Sequence, residues 1–303
     1  MSASWLNPLT WPIEPWVLLG VELTALLYLW GRHIPSPARG GRSGWGPARW
    51  RAIAFWSGLA TIVVALDTPL ESLARQLFWA HMTQHLLLIV VAAPLLVVGS
   101  PWLQIWRGLP LSIRRPVAKT VVKHPALAGL RKSFAMIAAP VGAWVLSSAT
   151  LWFWHWPPAY DLTLRNHFVH HLEHGLFLGL GILFWAQVID AHPFHARLSQ
   201  FKRVVFVFTA MIQAWALAAV LAFATSPFYA YGLLSWRPGG ISGLTDQQFG
   251  AGIMWVPGSI TYSIVFIACL YLWFREEDAR GARAARAAEI PPPLAGEGRV
   301  GAQ

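Results

Sequence analysis

Seven of the eleven histidines, His81, His85, His155, His167, His170, His171 and His174, fall at or just inside the ends of three apolar segments. Imidazole nitrogens coordinate copper, zinc, iron and nickel, so such a gathering points to a metal or cofactor site. His81 and His85 stand four residues apart. On a helix their rings leave one face about 6 Å apart along the axis, which suits chelation of one ion. Gln84 lies beside them on the same stripe, whereas Met82 is expected to point elsewhere. His170 and His174 repeat the spacing, and Glu173 on their flank reads as a ligand or as an acceptor that fixes a histidine tautomer. His167 and His171 share that arc of the helix but read as a polar helix start in water.

His155 ends a tryptophan-rich stretch, Trp152-Phe-Trp-His-Trp-Pro-Pro158, whose prolines stop the helix and leave the imidazole at its terminus. Trp152, Trp154 and Trp156 read as an aromatic belt at a membrane surface. Asp246 opens another helix, where its carboxylate either caps that helix or serves as a ligand. Met254, about two turns deeper, offers a soft thioether, although packing is the ordinary use of a buried methionine. His33, His124, His192 and His195 read as surface residues of loops. The single cysteine, Cys269, rules out a disulfide within the chain and any Cys-x-x-Cys motif, and it reads as a small buried residue.

The elements that must position these groups are membrane helices. With 56% hydrophobic residues, 12% charged residues and 19 tryptophans, the 303-residue chain has too little charge to cover a water-facing surface. A helix needs about 20 apolar residues to cross a bilayer. Seven stretches qualify, near Pro15 to Trp30, Trp50 to Leu66, His81 to Val98, Phe134 to His155, His171 to Ile189, Val204 to Ala224 and Gly252 to Phe274. They lack the alternation of barrel strands. The expected fold is therefore all-α, a polytopic bundle of seven transmembrane helices. It divides into an extracytoplasmic segment 1–14, a membrane domain 15–275 and a disordered cytoplasmic tail 276–303 rich in Ala, Arg, Pro and Gly. Residues 1–14 hold no Lys or Arg, so the first helix is expected to stay rather than be cleaved as a leader. Residues 101–132 form the longest cytoplasmic connection, expected to carry a short amphipathic helix. Glu22, midway along the first helix, reads as a hydrogen-bonding group between helices.

Orientation follows from the positive charges. Twenty of the 23 Lys and Arg residues fall after the first, third and fifth segments or in the tail, leaving Arg75, Arg165 and Arg237 on the other side. The positive-inside rule then puts the N-terminus outside and the C-terminus in the cytoplasm. The ends carrying His81, His155, His170 and Asp246 share the outer side. The net charge of +10 reads as a topological signal with affinity for anionic lipid, and no nucleic-acid partner is needed to explain it. No nucleophile lies beside a base and no carboxylate pair leaves room for substrate, so an enzyme is not expected.

Four motifs in order carry a resemblance. They are His81-Met-Thr-Gln-His85 running to Ala93-Pro-Leu-Leu and Gly99; Trp154-His155-x-Pro-x-x-Tyr160-Asp161; His170-x-x-Glu-His174 with Phe184-Trp185; and Asp246-Gln247 leading to Met254-Trp255. Together they resemble the CtaG family of cytochrome c oxidase assembly factors, multi-spanning proteins first associated with caa-type oxidases. The resemblance implies a bacterial cytoplasmic-membrane protein that matures a haem-copper oxidase through copper handling. Its partners would be oxidase subunits and a soluble extracytoplasmic copper donor. The matching positions are His81, His85, His155, His170, His174 and Asp246, with Gln84 and Met254 beside them. Cu(II) has the highest affinity of the divalent ions for such donors, and zinc is a further candidate. The usual Cys or Met set for Cu(I) is missing from the sequence, so a sparse histidine site would release its ion quickly, as a chaperone must. Two other readings stay open: haem held by histidines from two helices, and a metal-free scaffold for oxidase subunits.

Overall fold

The computed structural model describes residues 13–34, 49–191, 196–233 and 240–289. His192, His195, nearly all of the segment 1–14 and the tail beyond Glu289 lie outside the described residues. Among the described residues thirteen α-helices follow in order: α1 Pro15–His33, α2 Arg49–Leu66, α3 Pro69–Ala74, α4 Phe78–Leu86, α5 Ala93–Gly99, α6 Trp102–Gly108, α7 Leu111–Lys123, α8 Ala128–Ile137, α9 Pro140–Trp154, α10 Pro157–Arg165, α11 His167–Trp185, α12 Gln200–Ala222 and α13 Gly243–Glu289. Among the described residues there is no strand, in line with the all-α expectation.

A π-helical stretch, Leu87–Ala92, joins α4 to α5 in one rod from Phe78 to Gly99. Widening the helix leaves carbonyls that an α-helix would have bonded, and buried carbonyls need partners. Side chains of neighbouring helices supply them: Trp185 Nε1 donates to Ile89 O at 2.7 Å, and Thr261 Oγ1 donates to Val90 O at 2.9 Å. This rod is the axis of the fold. Leu88, Ala92 and Leu96 pack toward Tyr28, Phe55 and Leu59, while Val90, Ala93 and Val97 pack toward Phe184, Trp185 and Val207. A side wall forms where α1 and α6 cross at backbone contact. A Cβ on Gly31 or Gly108 would collide with the carbonyl of Gln104 or Leu27.

Among the described residues, four helical rods are long and apolar enough to cross a membrane: α2, the Phe78–Gly99 rod, α12 and α13. A fifth arises if α8 and α9 count together, but they meet at 77°. Here the expected single helix from Phe134 to His155 is corrected. Pro140 starts a new helix at a position where its missing N–H costs nothing. Gly142 then lies so close to the Met136 carbonyl that a Cβ could not fit, so the kink depends on it. The expected disorder of the tail is also corrected for residues 276–289. They continue α13, because Ala, Arg and Glu favour helix and Arg280 pairs with Glu276 at 2.7 Å and Glu277 at 2.8 Å. Residues 101–132 fold into α6, α7 and the head of α8 instead of one short helix.

Candidate metal centre

α4 carries His81 and His85 on its inner face, and its start is set from a distance. Leu77, at the N-cap, has no side chain able to accept the free amides of the first turn. Asp246 of α13 does so instead, its buried carboxylate accepting from Phe78 N–H at 2.9 Å and Trp79 N–H at 3.0 Å. Asp246 therefore caps the histidine-bearing helix, a role that its place at the start of α13 does not suggest. Charge at a helix N-terminus explains why a carboxylate does this well.

α11 brings Glu173 and His174 against α4. His81, His85, Glu173 and His174 each present one ligand atom, and the four atoms lie within 4.8 Å of one another. All four residues are buried. Glu173 Oε2 lies 3.3 Å from His81 Nε2, and Glu173 Oε1 lies 3.5 Å from His85 Nε2. These contacts are close without being aligned as hydrogen bonds. Among the described residues, His81 Nε2, His85 Nδ1 and Nε2, His174 Nε2 and both Glu173 oxygens have no hydrogen-bond partner. An unsatisfied buried polar group costs about 1–3 kcal/mol, and a cation at the centre would satisfy several at once. Three imidazoles and a carboxylate fit the donor preferences of Cu(II) or Zn(II).

One tautomer is set by the surroundings. The Tyr231 hydroxyl donates to Ala74 O and faces His81 Nδ1 at 3.3 Å, so it accepts from Nδ1–H and leaves the lone pair of Nε2 toward Glu173 and the cluster. Sequence reasoning missed this tyrosine, which comes from a connection between α12 and α13 and has no spacing that ties it to α4.

The other expected residues take neighbouring places. His170 packs edge-on and tilted at the rim, its ring centroid 4.2 Å from that of His174 and 5.0 Å from that of His81. His155, at the end of α9, lies 6.2 Å from His85 ring to ring. Gln84 turns away from the cluster, Nε2 donating at 2.7 Å to both Ala65 O and Glu71 Oε2. Met254 lines a cavity of about 90 Å³ that also touches Met82, His85 and His155. Met82 stays out of the cluster: it is buried, with Sδ 3.3 Å from His155 Nε2.

Glu71 was invisible in the sequence, since Thr68-Pro-Leu-Glu71 has the spacing of a capping box and invites no other reading. It is instead a buried hub between Gln84, Arg75 at 3.0 Å and His170 at 3.8 Å. Arg75 reaches outward to Glu14 at 3.1 Å and to His167 at 2.9 Å. A second cavity of about 50 Å³ lies between Arg75, His167, His170 and His81. Glu14, His167 and His171 also converge, but the Arg75 guanidinium in contact with two of them opposes a cation there.

The family model described as cytochrome c oxidase caa3 assembly factor matches residues 26–276. Uncharacterized proteins of Mycobacterium bovis and Mycobacterium tuberculosis are each 27% identical to the chain over 248 residues, covering 79% of this chain and 36% of theirs. One from Mycobacterium leprae is 25% identical over 249 residues with the same shares. The chain thus spans little more than a third of the length of these curated relatives. No solved structure matches it.

Proposed function

Since the chain belongs to the family of caa3-type cytochrome c oxidase assembly factors, we propose that it takes up copper as cargo at His81, His85, Glu173 and His174 and delivers it to a copper centre of a haem-copper oxidase. The supporting observation is the convergence of four buried ligand atoms from two helices within 4.8 Å of one another, on side chains whose facing polar atoms find no hydrogen-bond partner among the described residues. Neutral imidazoles with a single carboxylate carry one negative charge, enough to hold a copper ion but not to trap it. His170, whose ring packs against those of His174 and His81, offers a further nitrogen donor beside the centre.

In this reading the molecule spans the bacterial cytoplasmic membrane seven times, through α1, α2, the Phe78–Gly99 rod, α9, α11, α12 and α13. The N-terminus lies outside and the positively charged loops inside. The starts of the rod, α11 and α13 and the end of α9 then share the outer surface, where a soluble copper donor and an oxidase subunit can approach. Metal transfer of this kind needs no catalysis. Haem is less well accommodated, because bis-histidine ligation needs a macrocycle-wide slot between two rings, whereas the rings of His81, His85, His170 and His174 stand 4.2–5.8 Å apart.

Metal analysis of the purified chain with and without added copper tests the proposal. Wild type retains copper, while His85→Ala and His174→Ala lose it and leave the oxidase without its copper. Copper binding and oxidase maturation at wild-type levels in both variants would end the cluster as a site, and maturation without any copper binding would favour a scaffold.

A further inference from the structure

Four features surround His155, and the four-residue cluster shares only His85 with them. First, His155 Nδ1 lies 2.7 Å from Leu151 O, a contact that requires a proton on Nδ1. The neutral ring then turns a bare lone pair at Nε2 toward the Met82 sulfur, 3.3 Å away. Two lone-pair donors facing each other gain nothing unless a cation lies between or beside them. Second, the separation suits one. Ligand bonds of about 2.0 Å to nitrogen and about 2.3 Å to sulfur, at a tetrahedral angle, put the two atoms about 3.5 Å apart.

Third, Met254 lines the same cavity of about 90 Å³, and so does Met211, so three thioethers from α4, α12 and α13 border one space. A thioether is a weak ligand for a hard ion and a good one for a soft monovalent ion. Fourth, of the four cluster residues only His85 lines this cavity, and both of its ring nitrogens lack hydrogen-bond partners. One nitrogen faces Glu173 at 3.5 Å. His85 thus borders both compartments.

We propose that Met82 and His155 form a second metal position, selective for a soft monovalent cation such as Cu(I), with Met254 nearby and His85 between it and the four-residue cluster. The identity of the natural cargo rests on the copper reading above; the position itself rests on the thioether and imidazole geometry. Met82, one turn before His85 on α4, gives a soft ion a place that the oxygen-containing cluster does not. A cargo protein with a hard and a soft position side by side can hold its ion in either oxidation state.

The experiment uses the full-length protein in nanodiscs, titrated without oxygen with Ag(I) as the soft probe and separately with Co(II), and examined by X-ray absorption. Ag(I) is expected to bind with a sulfur neighbour. Met82→Leu should remove that neighbour and weaken Ag(I) binding about tenfold or more, since losing a ligand costs at least what losing a group that merely orients one does, with Co(II) binding unchanged. His174→Ala should do the reverse. Selenomethionine protein of unaltered sequence covers the case in which Met82→Leu fails to fold: its bound Ag(I) should show a selenium neighbour, and that signal should persist in Met136→Leu, whose residue is exposed. Ag(I) with only nitrogen and oxygen neighbours in the wild type, or loss of both ions together in each variant, overturns the second position. A wild type that binds no Co(II) yet keeps the Ag(I) sulfur signal upholds it and fails the cluster.

Discussion

At the scale of residues, the centre is built from donors whose alternatives have been removed. His81 is a case in point, because Tyr231 occupies its Nδ1 and so assigns Nε2 to the cluster. Replacing Tyr231 by Phe deletes that acceptor without changing the ring's apolar volume. Copper affinity should fall roughly 10–100-fold with the helical signal retained, the usual effect of losing a group that orients a ligand; unchanged affinity would mean the tautomer is set elsewhere. Glu173 and Glu71 look alike in the sequence, each a single carboxylate among histidines or apolar residues, yet they behave differently. Glu173 has no hydrogen bond on either oxygen, while Glu71 is held by Gln84 and Arg75. The first is available to an ion and the second is already occupied.

At the scale of elements, the site depends on where α4 begins. Asp246 satisfies two amides of its first turn from a residue 168 positions away, so the start of α4 and the start of α13 are locked together. Asp246→Ala should lower stability by about 0.5–2 kcal/mol, the range for losing a helix cap, and should weaken copper binding as well, because the cap sets where α4 and its two histidines begin. Asp246→Asn, which keeps one acceptor oxygen, should recover part of both. Thermal unfolding in detergent alongside copper titration separates this from a ligand role, in which binding would fall and stability would not. The π-helical stretch after Leu86 has a similar tie, since Trp185 of α11 bonds to its Ile89 carbonyl. That bond fixes the height of α11 against the rod, and with it the level at which His170 and His174 meet His81 and His85.

At the scale of the whole molecule, the exposed apolar surface and the clustering of Lys and Arg call for a bilayer, and the proposed topology can be measured. In a Cys269→Ala background, Ser72→Cys should react with a membrane-impermeant maleimide from outside intact cells, while Lys119→Cys should react only after the membrane is opened. Both positions are exposed, so lack of reaction reports sidedness and not burial. Reaction of Lys119→Cys in intact cells would reverse the orientation and place the metal centre on the cytoplasmic side.

Membrane class, helical content and the grouping of His81, His85, His170 and His174 on two helix faces could be read from composition and from spacing four residues apart, because these are local consequences of chain chemistry and the 3.6-residue period. The break at Pro140 was also written locally, but the apolar run across it outweighed the proline. Which donors meet was decided only by tertiary structure: Glu173 enters the cluster, Asp246 becomes the cap of another helix, and Met82 turns its sulfur to His155. Periodicity assigns a side chain to a face of its own helix. It says nothing of the rotation and height of the neighbouring helix, which are set by packing along the Phe78–Gly99 rod and by contacts between residues far apart in the chain.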